Sequence, residues 1–252
     1  MKVFATYNIK GGVGKTAAAV NLAYLASVNG YRTLVWDLDA QGAASFYFRI
    51  MPGLRAANET LIDKTSDISS SIRSTDFPGL DLIPADLSLR NLDVELTHKK
   101  RSSERLKKVL KKVREDYDIV ILDCAPTLST VSDNIFTVAH WLLVPLIPTH
   151  LSLRAYDQVR QHHLTERLSV EQLLPFFSMV DRRKRLHREL IVEFAENHPE
   201  LLPTYIPYAS QVEQMGEHRA PVCACARSGM GVRSYEALWH AITRRTQIKP
   251  KS

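Results

Sequence analysis

Short, continuous apolar runs alternate with longer amphipathic segments along this 252-residue chain. The run Ile119–Leu122 has no polar position, which is typical of a strand buried on both faces of a parallel sheet. The same pattern predicts strands at Lys2–Tyr7, Thr33–Asp37, Leu80–Pro84, Ile119–Asp123, Trp141–Leu146, Phe176–Val180 and Thr204–Ile206. Strands that alternate with helices predict an α/β fold with a doubly wound, mostly parallel sheet flanked by helices, and such sheets bind ligands at the carboxyl ends of their strands.

The segments between the strands have the apolar spacing of amphipathic helices. Helices are predicted at Lys15–Asn29, Ser102–Tyr117, Leu153–Leu168, Leu186–Asn197 and Gly231–Arg245. Gly30 stands where the first of these needs a C-terminal cap. The segment from Asn58 to Pro78 is polar and weakly patterned, so we expect a surface excursion there. Because the sequence shows no repeat and no interdomain linker, residues 1–252 are expected to form a single domain.

The first strand leads directly into a loop that reads Lys10-Gly11-Gly12-Val13-Gly14-Lys15-Thr16. Its last three residues are the usual end of a phosphate-binding loop, although Ile9 stands where the first glycine of that motif is expected. In such loops backbone N–H groups turn toward phosphate oxygens, and the positive end of the following helix faces the same anion. Lys15 is expected to contact the β- and γ-phosphates, and the Thr16 hydroxyl to ligate Mg²⁺. A glycine-rich turn with solvent-facing lysines is the alternative, which the match along the whole loop disfavours.

Acidic residues stand at the ends of two predicted strands. Asp37 and Asp39 follow the second strand, and Asp123 closes the run Ile119–Leu122. Carboxylates beside a bound nucleotide can hold Mg²⁺ or orient the attacking water. For Asp37 and Asp39 the alternative is an Asp-rich turn that caps the next helix. For Asp123 the cost of burying an unpaired carboxylate favours a metal role.

Composition limits the class of protein. A hydrophobic content of 45% is enough for a buried core, and no apolar run approaches the ~20 residues of a membrane span. Val3 to Tyr7 is too short to be a signal segment. Cys124, Cys223 and Cys225 fit neither a disulfide framework nor a metal knuckle, and the nine histidines show no metal-ligand spacing. We therefore expect reduced thiols in a cytosolic protein. The net charge of +6 permits nucleic-acid binding without requiring it.

Basic residues are concentrated in three segments. The densest runs from Lys99 to Arg114, where apolar residues at helical spacing predict an amphipathic helix with a basic outer face. That face fits a solvated surface and a DNA contact equally well. A second segment begins at Arg182 and enters a helix. The third comprises the arginines near the C-terminus, which are Arg219, Arg227, Arg233, Arg244 and Arg245.

Several segments together resemble the ParA/MinD family of deviant Walker A P-loop ATPases, and the ParA branch in particular. The matching segments are NIKGGVGKT (Asn8–Thr16), DLDAQG (Asp37–Gly42), YDIVILDCAP (Tyr117–Pro126), PLIPTHLSL (Pro145–Leu153), VDRR (Val180–Arg183) and IPYASQVEQMGEHRAP (Ile206–Pro221). They span nearly the whole chain, and the double-lysine loop is the most specific of them. The resemblance implies a P-loop NTPase fold, ATP and Mg²⁺ as cofactors, and hydrolysis of ATP to ADP and phosphate.

The resemblance also implies roles for single residues. Lys10 matches the signature lysine that crosses a dimer interface, so that two ATP molecules are sandwiched between two subunits. Asp39 matches the acid that positions the hydrolytic water, and with Lys10 and Lys15 it completes the expected catalytic set. The expected metal-site residues are Thr16, Asp37 and Asp123. The expected nucleotide-binding residues are Gly11, Gly12, Val13, Gly14, Lys15, Thr16, Ala17, Asp181 and Pro207.

The chain departs from the family pattern at some positions. Ala17 stands where the ParA loop usually has a second threonine, so a hydroxyl contact to the α-phosphate is lost at a cost of about 1 kcal/mol. Relatives often have arginines, some of which bind DNA, at the positions of Tyr208 and Gln211. We therefore assign the expected DNA surface to the C-terminal arginines, since phosphate contacts need only cationic side chains. The phosphate loop begins at residue 10, as in short ParA forms that lack an N-terminal DNA-reading domain.

The leading interpretation is an ATPase that dimerises with ATP, binds DNA without sequence preference and positions a plasmid, a chromosome region or a protein organelle such as a carboxysome. A cargo-bound ParB-like or adaptor protein would stimulate hydrolysis, and the protein would be cytoplasmic and nucleoid-associated. The alternative is a MinD-like membrane-associated ATPase, but core packing explains the apolar stripe of the last helix better than membrane binding does. An iron–sulfur carrier would need a Cys-x-x-Cys motif, which is absent. A metabolic P-loop ligase fits poorly with the acidic motif at Asp37–Gly42.

Overall fold

The computed structural model describes residues 1–51, 68–86, 89, 104–165 and 169–249. Its strands are β1 (Lys2–Thr6), β2 (Thr33–Leu38), β3 (Arg73–Ser74), β4 (Leu80–Ile83), β5 (Ile119–Cys124), β6 (Trp141–Leu146), β7 (Leu173–Val180) and β8 (Tyr205–Pro207). They form one eight-stranded sheet in the order β3-β4-β2-β5-β1-β6-β7-β8. All neighbours pair in parallel except β3, which is antiparallel to β4 at the edge. The predicted doubly wound, mostly parallel sheet is thereby confirmed.

The longer helices follow the sequence pattern closely. In chain order the helices are α1 (Lys15–Val28), α2 (Ala43–Tyr47), α3 (Arg105–Lys112), α4 (Thr130–Val138), α5 (His150–Thr165), α6 (Arg185–Asn197), α7 (Ser210–Glu213), α8 (Met215–His218), α9 (Val222–Cys225) and α10 (Met230–Thr246). Two short 3₁₀ segments add Ile68–Ser71 and Val170–Gln172.

Helices cover both faces of the sheet, which is why its central strands are mostly apolar. On one face, α1, α2 and α10 pack on residues such as Phe4 and Val35. On the other face, α3, α4, α5 and α6 pack on residues such as Trp36 and Val120. Every residue of β2 and of β5 is buried, so polar groups of these strands are held in an environment without water.

Some predicted elements need correction. The helix predicted for Ser102–Tyr117 ends at Lys112, where a turn leads into β5, and the helix predicted from Leu153 begins earlier, at His150. The surface excursion predicted for Asn58–Pro78 is largely exposed over its described part, but it also contains the short edge strand β3 and a buried Ile68, which the sequence did not predict. Residues 58–67, 102–103 and 166–168 of these predictions lie outside the described residues.

The apolar stripe of α10 belongs to the core. Val232, Tyr235, Leu238, Trp239 and Ile242 are all buried against the sheet, as core packing requires and as a membrane-binding helix would not need. Within the described part of the chain, no helix is long and apolar enough to cross a membrane.

Candidate nucleotide site

The loop between β1 and α1 has a backbone that only glycine adopts easily. Gly12 and Gly14 have φ values of +70° and +94°. A Cβ on Gly14 would also lie 2.8 Å from the Ser178 Oγ. Gly14 caps the N-terminus of α1 without a side-chain hydrogen bond, so the free N–H groups of the first helical turn are left to bind an anion. These features give the loop the shape of a phosphate cradle.

The two lysines of the loop differ in their surroundings. Lys15 is only 7% exposed, and its Nζ donates to the carbonyl oxygen of Lys10 at 3.3 Å. Burial lowers the pKa of Lys15, while the negative charge of Asp123 acts in the opposite direction. Lys10 is half-buried, and within the described residues its side chain has no hydrogen-bond or ion-pair partner. The Lys15 ammonium group therefore contacts its own loop, whereas the Lys10 ammonium group has no partner among the described residues.

Asp37 and Asp123 are opposite each other on the neighbouring strands β2 and β5, and both are fully buried. Thr6, on β1, donates its hydroxyl hydrogen to the Asp123 Oδ1 at 3.1 Å. The Asp123 Oδ2 is buried and has no hydrogen-bond partner among the described residues. Burial raises the pKa of Asp123, the charge of Asp37 raises it further, and nearby Thr16, Thr6 and Lys15 oppose the rise. A buried carboxylate oxygen without a partner beside a second carboxylate is a suitable place for a cation.

The Asp37 carboxylate accepts more hydrogen bonds from the described residues than the Asp123 carboxylate does. The Asp37 Oδ2 accepts hydrogen bonds from the backbone N–H and the hydroxyl of Ser45, both at 2.8 Å. The Ser45 Oγ in turn accepts from the backbone N–H of Ala85 at 3.0 Å. The Asp37 Oδ1 accepts from the backbone N–H of Asp39 at 3.3 Å. Because both oxygens of Asp37 are engaged, Asp123 is the carboxylate that is left to face a metal.

Asp39 lies on the loop that follows β2 and is half-buried. Its Oδ1 accepts the backbone N–H of Gln41 at 2.9 Å, which fixes the turn. Asp39 is close enough to affect the pKa of Lys15. The carboxylate is therefore held at the carboxyl edge of the sheet, near the phosphate loop, as the sequence predicts.

The remaining predicted nucleotide contacts come from the strands on the other side of β1. Asp181 follows β7 and Pro207 ends β8, so both lie at the same edge of the sheet as the phosphate loop. The Asp181 carboxylate accepts two hydrogen bonds from the Arg183 guanidinium, both at 2.9 Å, which lower its pKa to about 2. Val13 is buried and Ala17 half-buried.

Of the three predicted metal-site residues, Thr16 and Asp123 fit Mg²⁺ of the kind that is held together with a substrate, whereas both oxygens of Asp37 already accept hydrogen bonds. No cluster of three or more His, Cys, Asp or Glu residues capable of holding a metal occurs in the described ranges. Mg²⁺ beside a nucleotide commonly uses one or two protein oxygens, water and phosphate oxygens. Thr16 and Asp123 are the residues that would hold it, and Mg²⁺ would then neutralise charge on the transferring phosphoryl group.

The predicted DNA residues do not form one group. The Arg219 Nε donates to the carbonyl oxygen of Phe46 at 3.2 Å, and Arg245 donates to the carbonyl oxygen of Pro199 at 3.2 Å. Arg227, Arg233 and Arg244 are exposed and have no partner in the described part of the chain. Arg233 and Arg244 are eleven positions apart on α10, which puts them on one side of the helix about three turns apart.

Sequence reasoning missed the residues that hold the carboxylates in place. Ser45 binds Asp37, Thr6 binds Asp123, and the Asn8 side chain joins the loop to β6 by donating to the carbonyl oxygen of Pro145 at 2.9 Å. None of these three residues is next to an acidic position in the sequence, and their contacts join different elements of the fold, so no local pattern indicated them.

Comparison with known proteins gives a consistent picture. A family model described as an AAA domain matches residues 1–171. The chromosome-partitioning ATPase Soj of Treponema pallidum is 30% identical, over 97% of this chain and 98% of its own.

Two solved structures resemble this fold closely. One is a putative plasmid partition protein from Borrelia burgdorferi bound to AMPPNP, with a TM-score of 0.84 and 22% identity, over 97% of this chain and 99% of its own. The other is cobyrinic acid a,c-diamide synthase from Mycobacterium smegmatis with a bound ATP analogue and magnesium. Its TM-score is 0.82 and its identity 26%, over 98% of this chain and 96% of its own.

Proposed function

This chain belongs to the ParA/MinD family of P-loop ATPases and is a ParA-like partitioning ATPase that uses ATP and Mg²⁺, and on that basis we propose how it works. In the proposal, ATP joins two copies into a dimer. The dimer binds DNA without sequence preference on the nucleoid, and a ParB-like or adaptor protein on the cargo stimulates hydrolysis and release.

The observation that carries the dimer is the difference between the two lysines of the loop. Lys15 is buried against its own loop, but the Lys10 ammonium has no partner among the described residues. A cation held beside a phosphate cradle without a partner suits the phosphates of a second nucleotide. If this contact forms only when ATP is present, ATP binds the dimer more tightly than the monomer. ATP binding would therefore shift the equilibrium toward the dimer.

The chemistry would be divided among the surrounding residues. Thr16 and Asp123 would hold Mg²⁺, and Lys15 would bind the phosphates. Asp39 would accept a hydrogen bond from the attacking water and so orient it. Asp37, with both oxygens engaged, would position the loop that carries Asp39.

The DNA surface is proposed to be the C-terminal set of arginines, led by the exposed Arg227, Arg233 and Arg244. Each contact with a phosphate releases condensed counterions, so affinity depends steeply on salt. A dimer doubles the number of contacts, and the second half of the molecule binds at a high effective concentration. DNA binding would therefore follow dimerisation.

The test is the binding of a random-sequence duplex with and without ATP, from about 50 to 200 mM salt. The double variant Arg233→Glu/Arg244→Glu should weaken ATP-dependent binding about tenfold or more through lost phosphate contacts. Light scattering should show the same ATP-dependent dimer. The matched control is Lys108→Glu/Lys112→Glu on α3, which changes charge equally.

Two results would contradict the proposal. Loss of DNA binding in the α3 control but not in the α10 variant would move the DNA surface to α3. Binding to anionic liposomes instead of DNA, unaffected by both pairs, would support the membrane-associated alternative.

A second candidate is an ATP-dependent amide-forming ligase, which the likeness to the diamide synthase favours. It predicts ATP turnover that requires a carboxylic-acid acceptor and an amide donor, and a protein that does not bind DNA. ATP turnover by the chain with DNA alone would rule it out.

A further inference from the structure

A cavity of about 600 Å³ opens at the amino-terminal edge of the sheet, opposite the candidate nucleotide site. It lies where β1, β6 and β7 begin, between the end of α4 and one side of α3. Met1, Val3, Leu110 and Val138 contribute apolar surface to it. A cavity of this size takes a few side chains rather than a whole domain.

The α3 side of this cavity is cationic. Lys107, Lys111 and Arg114 line it, spaced four and then three positions apart, so they form a stripe about 10 Å long on the same side of the helix and the turn after it. All three are exposed, and within the described residues none makes a hydrogen bond or an ion pair. Among the described residues, no Asp or Glu lines the cavity. Its charge is thus left without compensation from the described part of the chain.

Neutral hydrogen-bonding groups face the cations from the other side. His140 and Gln172 line the cavity, and the His140 Nδ1 accepts the backbone N–H of Val3 at 3.1 Å. Desolvation lowers the pKa of His140, and the charge of Lys2 lowers it further. With Nδ1 accepting, the neutral ring carries its hydrogen on Nε2, which is left as a donor.

We propose that this cavity binds an acidic peptide segment of a partner protein, with an apolar side chain inserted over Val3 and Val138 and carboxylates paired with Lys107, Lys111 and Arg114. Clusters of cations recognise acidic motifs in this way, and desolvation inside a concave site strengthens each pair. DNA fits less well, because a duplex has nothing apolar to place on the floor of the cavity and its phosphates lie on a convex outer surface.

The position of the cavity separates this site from the nucleotide. The strands between the two edges are five to eight residues long, so the edges are roughly 17–25 Å apart. The proposal does not rest on the proposed function, since none of the cavity residues belongs to the phosphate loop or to the arginines assigned to DNA. Peptide binding should therefore be the same with ATP, with ADP and without nucleotide.

The probe is a fluorescein-labelled peptide of alternating glutamate and leucine, titrated with the full chain by anisotropy. We expect saturable binding that falls about tenfold in Lys107→Glu/Lys111→Glu. Binding should be unchanged in the charge-matched Lys108→Glu/Lys112→Glu, whose side chains do not line the cavity. Thr137→Trp, which fills the cavity without changing charge, should also abolish binding. ATPase activity and circular dichroism should stay at the wild-type level in all three variants.

Several outcomes would overturn the proposal. Equal loss in the two lysine pairs would show diffuse electrostatic attraction instead of a site. Peptide binding that survives Thr137→Trp would exclude the cavity. Binding as strong with glutamine in place of every glutamate would show that the cations are not used. If the Lys107 and Lys111 changes abolish duplex binding and leave peptide binding intact, α3 is a DNA surface.

Discussion

Arg49, which follows α2, and Arg219, which follows α8, join the C-terminal ends of these two helices by reciprocal hydrogen bonds. The Arg49 Nε donates to the carbonyl oxygen of Arg219, directly after α8, and the Arg219 Nε donates to the carbonyl oxygen of Phe46 in α2, both at 3.2 Å. The Arg219 guanidinium also lies over the Phe46 ring, 4.7 Å from its centroid. Both arginines have left-handed backbones, with φ values of +59° and +48°. Such strained conformations persist where surrounding contacts hold them.

Arg219→Ala is therefore expected to lower stability. The variant loses a hydrogen bond to a helix C-terminus and a cation–π contact, which together are worth about 1–2 kcal/mol. Chemical denaturation measures the free energy of unfolding, and Arg227→Ala is the control because that exposed side chain has no partner in the described ranges. Equal stability of the two variants would show that the contacts of Arg219 with α2 do not contribute to the free energy of unfolding. This contact also makes Arg219 the least suitable member of the DNA set.

Asp39→Ala should abolish ATP hydrolysis and preserve the ATP-dependent dimer. The water would lose the acid that orients it, an effect of about 10²-fold or more, while the phosphate loop stays intact. Phosphate release gives the rate, and light scattering gives the dimer and its lifetime. Asp157→Ala, on an exposed face of α5, is the control. Hydrolysis at the wild-type rate in the Asp39 variant would remove this residue from the mechanism.

Lys10→Ala and Lys15→Ala should fail in different ways. Lys15 is buried in its own loop, so its loss should weaken ATP binding itself. Lys10 has a side chain without a described partner, so its loss should leave ATP affinity nearly intact and prevent dimerisation. Equilibrium binding of a fluorescent ATP analogue, together with light scattering, separates the two effects. Equal loss of nucleotide affinity in both variants would show that Lys10 serves its own subunit.

Gly14→Ala should destabilise the chain by about 1–3 kcal/mol, because it forces a side chain into a left-handed backbone. The new Cβ would also lie 2.8 Å from the Ser178 Oγ. Gly11→Ala is the matched control, since a Cβ there meets nothing within 4 Å and should change stability by only a few tenths of a kcal/mol. Urea unfolding measures both. If the two variants are equally stable, the loop does not need the backbone described for Gly14.

Stability without nucleotide should fall as the pH rises from about 5 to 8 because of Asp123. Burial and the charge of Asp37 raise the pKa of Asp123. In this window the native state therefore holds a proton that the unfolded chain has released, and deprotonation favours unfolding by up to about 1.4 kcal/mol per pH unit. Asp181, whose pKa is lowered to about 2, stabilises the fold above the ordinary carboxyl pKa and loses that effect only in acid, outside this window.

Unfolding in urea at several pH values, with Asp123→Asn as the comparison, measures this effect. The histidines and Asp37, whose pKa burial also raises, titrate in both proteins, so the difference between the two curves reports the removal of the Asp123 carboxyl group together with its effect on Asp37. The variant should have a flatter profile, with its largest gain in stability at the highest pH. A variant curve that runs parallel to the wild-type curve would show that Asp123 is ionised throughout.

The sequence predicted the central sheet and the phosphate loop because both depend on local patterns. Short apolar runs such as Ile119–Leu122 are typical of strands buried on both faces, and the glycines at positions 12 and 14 occur where left-handed backbone is needed. Helix α4 was missed, because Thr130, Val131 and Asp133 are poor helix formers. Contacts with the neighbouring helix and sheet, which no local pattern shows, place α4 where it is.

The site was predicted as a set of acids and lysines without their different environments. The sequence indicated that Asp37 and Asp123 stand at the ends of two strands, but not that those strands are neighbours. It did not indicate that Ser45 binds Asp37 or that one oxygen of Asp123 is left without a partner among the described residues, because both facts depend on how different elements pack together. Tertiary contacts also explain why Arg219 is engaged with Phe46 whereas Arg233 and Arg244 on α10 have no partner among the described residues.

The hydrogen bond from Thr6 to Asp123 joins residues 117 positions apart, and this separation affects how the protein acquires activity during synthesis. Residues 1–45 supply the phosphate loop together with Asp37 and Asp39. The strand that carries Asp123 is synthesised more than 70 residues later. Closing so long a loop is slow and must precede a complete site. A nascent chain that ends before β5 should therefore not bind ATP tightly. Once β5 pairs with β1 and β2, nucleotide binding adds to the stability of that pairing by mass action.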